Sequence, residues 1–274
     1  MDRFLNLAAT TFCIVPFLLG PPLLRAEHDG KVQILLLGDS TTIGSVCRLT
    51  DPNGPHLEDV IRQLLAADQG LPPTNVINQG RDGEYIHGLL SGGRYDREIA
   101  GLPGIDFVCI RYGLNDRGKR ADFAQNFPKD FSGLIARLRK DFPEAKIIPM
   151  TIIPYMTAEA DAEINQLIRQ VAEAEKLPMF DVYTRYEAEL KRGANMLNYR
   201  RYPLEKIPEN HRNWVKPFVR HDAVTVMDNR LDAHFSQLPG WFSDRHPNLA
   251  GYHVIGDETA KYLAPLIREK TKQK

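Results

Sequence analysis

The sequence predicts a three-layer α/β/α fold around a mostly parallel sheet of about five strands. Two observations carry that expectation. The short apolar runs are continuous in residue type rather than alternating, the mark of strands covered on both faces. Between them lie longer stretches with apolar residues at helical spacing, so strands and helices take turns along the chain. Residues 32–37 read as the first strand, followed by a helix over 56–67 with Val60, Leu64 and Leu65 on one face. Residues 75–78 and 106–111 supply the second and third strands. A helix over 122–141 carries Phe127, Phe131, Leu134, Ile135 and Leu138 despite Pro128, and a fourth strand follows over 147–153. Ile164, Leu167, Ile168 and Val171 mark a helix over 159–176; residues 177–182 read as a fifth strand and 249–267 as the closing helix. The right-handed crossover of parallel strands places successive strand ends on one edge of the sheet.

One stretch breaks this rhythm. Residues 191–240 are rich in Arg, Asn, Pro and aromatics, including Tyr199, Arg200, Arg201, Tyr202, Trp214 and Phe218, and show little periodicity. They read as an irregular insertion in a single domain spanning 31–274, either packed over the surface or walling the substrate site.

At 274 residues, with Lys plus Arg and Asp plus Glu balanced at 35 each, the chain has no global field to draw nucleic acid or an anionic membrane. The N-terminus is distinct: residues 4–24 are largely apolar and uncharged after Arg3, and Ala26 offers a small residue for cleavage. Residues 1–26 therefore read as a signal peptide, with export to the periplasm or the extracellular space. The rival is an uncleaved N-terminal anchor, against which Pro16, Pro21 and Pro22 speak. Of the three cysteines, Cys47 and Cys109 fall beyond that segment; Cys109 sits in an apolar run and reads as a buried thiol, with a Cys47–Cys109 bridge as the alternative. No histidine or cysteine spacing suits a metal, and no cofactor motif follows a strand, so neither metal nor cofactor is expected.

The chemistry gathers where the strands end. Gly38-Asp39-Ser40 follows the first strand, Asn78-Gln79-Gly80 the second and Gly113-Leu114-Asn115-Asp116 the third; Ser243-Asp244-Arg245-His246 precedes the closing helix. A serine, a glycine N–H, an asparagine amide and a histidine on one sheet edge are the parts of an acyl-transfer site. These motifs resemble those of the SGNH (GDSL-type) hydrolases, whose four signature residues match Ser40, Gly80, Asn115 and His246 in order, over nearly the whole chain from about Lys31. The resemblance implies a flavodoxin-like SGNH hydrolase fold and an ester-cleaving enzyme. It makes Ser40 the nucleophile and His246 its base, with the backbone N–H groups of Ser40 and Gly80 and the side-chain amide of Asn115 as oxyanion donors. The family's aspartate lies three residues before the histidine, where this chain has Ser243; Asp244, two before, is the nearest acid. In an extended loop that offset reverses the facing of a side chain. Asp244 is the expected third member, with Ser243, a backbone carbonyl or Asp232 as alternatives. Asp39 and Asp116 are expected to brace their loops, and Arg111 has no assigned role.

The reading is a secreted serine esterase acting through an acyl-enzyme on a small-molecule or glycan ester, with a polysaccharide acetyl ester favoured because export and the aromatic, arginine-rich stretch suit an external glycan. No membrane partner is expected beyond an anchor. An acyltransferase on the same scaffold and a non-catalytic glycan-binding protein are the alternatives, the second suggested by the displaced aspartate.

Overall fold

The structure, a computed structural model, describes residues 30–196 and 200–272. The segment expected to be a signal peptide lies outside them, as does Tyr199. Four strands form the parallel sheet: β1 Val32–Gly38, β2 Thr74–Asn78, β3 Phe107–Arg111 and β4 Lys146–Pro149, in the order β2-β1-β3-β4. Leu36 pairs with both Asn78 and Cys109, and Gly38 with Arg111, so β1, β2 and β3 end close to one line. Three loops therefore open at one edge.

The unbroken apolar run of β1 has a plain cause. Leu35 and Leu37 point into one buried cluster and Ile34 and Leu36 into another, on opposite faces of the sheet. Helices Phe123–Asp141 and Ala158–Ala174 cover the first face with Phe127, Phe131, Leu134 and Ile164. Helices Leu57–Ala67 and Leu249–Lys272 cover the second with Ile61, Leu65, Ile255 and Leu263. Leu64, assigned to the inner face from the sequence, points outward and is 41% exposed, and Ile61 takes its place inside.

The expected fifth strand shrinks to a single bridge between Met150 and Phe180. The preceding helix holds Leu177 through the carbonyl of Ala172, and Asp181 accepts the N–H of Thr184 (3.2 Å) to start the next helix, Tyr183–Lys191. Little chain is left between those anchors for a longer ladder.

The expectation of an irregular insertion over 191–240 also needs correction. Its described residues contain an antiparallel sheet of β5 Arg200–Pro203, β6 Val219–Arg220 and β7 Ala223–Val226, ordered β5-β7-β6, and a helix Glu209–Val215. Tyr202, Ile207, Val215, Val224, Phe235 and Trp241 pack into its own core. His221 and Asp222, between paired Arg220 and Ala223, both have positive φ (48° and 58°), the requirement of a two-residue type I′ hairpin. Strands of two to four residues are too short to show a period, which is why this annex was invisible in the sequence.

Candidate active site

Ser40 opens a four-residue helix directly after β1. Asp39 caps that helix, its Oδ1 accepting the backbone N–H (2.8 Å) and hydroxyl (2.7 Å) of Thr41. Burial pushes the Asp39 carboxyl up, against the lowering effect of those bonds and of the Arg111 charge. Gly38 must be glycine, since a Cβ there would stand 2.1 Å from Thr42 Oγ1. Arg111, fully buried at the end of β3, donates through Nη2 to the Thr41 carbonyl at 2.5 Å and to Thr42 Oγ1 at 3.3 Å. This supplies the role that sequence reasoning lacked: Arg111 clamps the turn that carries Ser40.

His246 Nε2 lies 2.8 Å from Ser40 Oγ, and its Nδ1 lies 2.5 Å from Asp244 Oδ1. With Nδ1–H donating to the carboxylate, Nε2 is the acceptor for the serine hydroxyl. The aspartate two residues upstream reaches the ring because the loop is turned rather than extended. Oδ1 also accepts the backbone N–H of His246 at 3.0 Å, closing an Asx turn that folds the carboxylate back over the residue it serves. Its other oxygen, Oδ2, pairs with Arg201 Nε at 3.0 Å. Burial alone would raise the Asp244 carboxyl; the hydrogen bond and charge of His246, with Arg201, hold it below the ordinary carboxylate range. Ser243 and Asp232 are not the ring's partners: Asp232 instead takes a double bond from Arg200 (3.0 and 2.9 Å) and one from Trp241 Nε1 (2.7 Å) inside the annex.

The oxyanion candidates are less uniform. The backbone N–H of Ser40, at the first helical position, has no protein acceptor among the described residues. Asn115 lines the cavity over Ser40; its Nδ2 donates to the Glu84 carbonyl at 3.1 Å, which leaves one N–H of the amide for another acceptor. Gly80 donates its N–H to Asn78 Oδ1 at 3.0 Å and reaches an oxyanion only by giving up that bond. Its lack of a side chain has a separate reason: a Cβ would lie 2.6 Å from the backbone nitrogen of Ile43, in the helix that Ser40 opens. Asp116 braces the Asn115 loop, its two oxygens accepting from Ile86 N (2.8 Å) and Gly113 N (3.0 Å). Burial, with the nearby Asp39 charge, pushes its carboxyl up to about 7 against those two bonds. Glu84, buried between Tyr112 Oη (2.6 Å) and Arg94 Nη1 (2.7 Å), fixes the loop that presents the carbonyl to Asn115.

Sequence reasoning missed Tyr155. Its hydroxyl lies 3.1 Å from His246 Nδ1 and 3.5 Å from Nε2, with the two rings perpendicular. The available signal was positional, since Tyr155 follows β4 as Asn115 follows β3. A cavity of about 330 Å³ opens over these groups, lined by Ser40, Ser45, Asp82, Asn115, Tyr155 and Arg201 among others. Cys47 and Cys109 are free and buried, each thiol pushed up to about 12 by burial. Among the described residues no cluster of three His, Cys, Asp or Glu suits a metal ion.

The comparisons agree with this architecture. The GDSL-like lipase/acylhydrolase family model matches residues 36–200. The chain belongs to that family. Membership of this GDSL family makes it an ester-hydrolysing enzyme. Similar solved structures include a lipase/acylhydrolase from Enterococcus faecalis, at 20% identity and TM-score 0.53, covering 85% of this chain and 96% of that one. Axe2, an acetylxylan esterase from Geobacillus stearothermophilus, aligns at 16% identity and TM-score 0.54 over 85% of this chain and 94% of its own. At such identities the likeness is one of fold. No curated protein sequence matches the chain.

Proposed function

We propose that this GDSL-family protein is an exported serine esterase that cleaves short acyl esters, acetyl groups on a polysaccharide above all, through an acyl-enzyme. The observation that carries the reading is the unbroken line from Ser40 Oγ through His246 to Asp244, at 2.8 and 2.5 Å. Ser40 attacks the ester carbonyl while His246 Nε2 takes its proton, and Asp244 holds the tautomer and stabilises the imidazolium that forms. The Ser40 N–H and the Asn115 amide face the oxygen on which charge develops, and Gly80 joins them if its bond to Asn78 opens. His246 then protonates the leaving alcohol, and water releases the acid by the reverse route.

The choice of a glycan acetyl ester rests on the cavity's polar lining of Ser45, Asp82, Asn115 and Arg201, poorly matched to a long alkyl chain. Export rests on the apolar residues 4–24. The displaced aspartate that favoured a binding protein without catalysis loses weight, because Asp244 bonds to His246 despite its spacing. The test is acetate release from p-nitrophenyl acetate and from acetylated xylan by the wild type and Ser40→Ala. The reading requires hydrolysis of both by the wild type, a higher kcat/KM on the glycan, and loss of at least about 10⁴-fold in the variant. Equal rates in the two proteins would end the serine mechanism.

A further inference from the structure

A second cavity, of about 380 Å³, adjoins the catalytic one and shares Tyr155 and Arg201 with it; Tyr202, Lys206, Ser243 and Asp244 also line it. Its volume lies in the range of small-ligand pockets. The annex builds most of this wall. In β5 the facing alternates, so Arg200 and Tyr202 turn into the annex core while Arg201, between them, turns out to the rim.

The charge on this rim is not spent within the protein. The nearest contact of Arg201 is through Nε, on Asp244; its two terminal nitrogens make no hydrogen bond among the described residues. Lys206 makes no ion pair among them either. Among the described residues Asp244 is the sole acid lining the cavity, and both of its oxygens are engaged, by His246 and Arg201. Two cations against one committed carboxylate leave the cavity net positive. The open edge of a guanidinium offers two parallel N–H groups, the geometry that a carboxylate accepts in bidentate fashion. Taking a ligand on that edge leaves the Nε contact with Asp244 in place.

We propose that this second cavity is a subsite for the alcohol half of the substrate and takes a sugar bearing a carboxylate, a uronic acid unit, on Arg201 and Lys206. The proposal rests on the esterase reading above and narrows its substrate class: acetyl esters of acidic glycans rather than of neutral ones. Arg201 then serves two ends, steadying Asp244 through one edge and anchoring substrate through the other. Lys206, which makes no hydrogen bond or ion pair with the triad among the described residues, contributes to substrate charge alone.

The experiment separates binding from turnover. Calorimetry on Ser40→Ala compares methyl glucuronide with methyl glucoside, and kinetics on the wild type compare their acetylated forms. The uronide is expected to bind about tenfold more tightly than the glucoside, the scale of one charge-assisted bond. That advantage is expected to shrink as salt is raised and to vanish in Lys206→Glu, where folding is checked by circular dichroism. In turnover the same preference is expected in KM, with Lys206→Glu abolishing the uronide-to-glucoside ratio. Equal binding of the two sugars, or a uronide preference that survives Lys206→Glu, overturns the subsite. If the wild type hydrolyses neither acetyl ester while Ser40→Ala still selects the uronide, the esterase reading falls and the anion subsite stands. Hydrolysis of both esters without selection gives the converse.

Discussion

The parallel-sheet edge and the annex contribute to one site in opposite ways. At the sheet edge Ser40 and Asn115 follow their strands within a few residues, and their loops are tied down by buried groups: Asp39 and Arg111 under Ser40, Asp116 and Glu84 around Asn115. In the annex the strands are two to four residues long, and Arg201 enters the site from the exposed face of one of them. The first region holds reacting atoms in fixed positions over a double-faced core. The second is a separate small core beside it that carries Arg201 and Lys206, the cations of the proposed subsite. The lesson is a division of labour between rigid strand ends for chemistry and a peripheral unit for selection.

The largest expected break in that division comes from Asp244→Asn. The residue stands between the two regions, bonded to His246 and paired with Arg201. Loss of its charge and of the correct imidazole tautomer should lower kcat by about 10⁴-fold. A drop below tenfold would mean that another group orients the ring. Asn115→Ala, at the sheet edge, removes one oxyanion donor and should cost about 10²–10³ in kcat with little change in KM. A change confined to KM would recast Asn115 as a binding group.

A pH titration of stability probes the bracing beneath Asn115. Burial raises the Asp116 carboxyl from 3.8 to about 7, so the folded state binds a proton that the unfolded chain releases near pH 4. The stability from that proton is complete below about pH 4, falls as pH rises, and is gone once pH passes about 7; its size is on the order of 4 kcal/mol. The urea midpoint of the wild type should therefore fall between about pH 4 and pH 7, and Asp116→Asn should flatten the slope. An unchanged slope in the variant would remove Asp116 as its source.

The smallest effect belongs to the annex core. Trp241 is buried and donates Nε1–H to Asp232 at 2.7 Å. Trp241→Phe keeps an aromatic ring but loses this bond, while Asp232 keeps both contacts from Arg200. A cost of about 1 kcal/mol in thermal or urea unfolding is expected, with kcat on p-nitrophenyl acetate unchanged. A matching fall in kcat would show that the two regions are mechanically coupled.

Apolar strands set off by amphipathic helices determined the layered parallel fold without any structure, because burial on both faces imposes apolar residues at most interior strand positions. The same regularity located Ser40, Gly80 and Asn115, since each follows a strand end, and the motif order supplied His246. The tertiary structure alone decided that Asp244 serves His246. Its spacing reads wrongly for an extended loop, and only an Asx turn, a local backbone choice made in a folded context, brings the carboxylate to the ring. It alone decided that the 177–182 run pairs through one residue, because helix ends on either side hold the chain. The strands of the annex and the roles of Arg201 and Tyr155 were hidden for a related reason. Each depends on contacts across some 40 to 90 residues, such as Tyr155 with His246 and Arg201 with Asp244, and no period in the sequence records a meeting at that range.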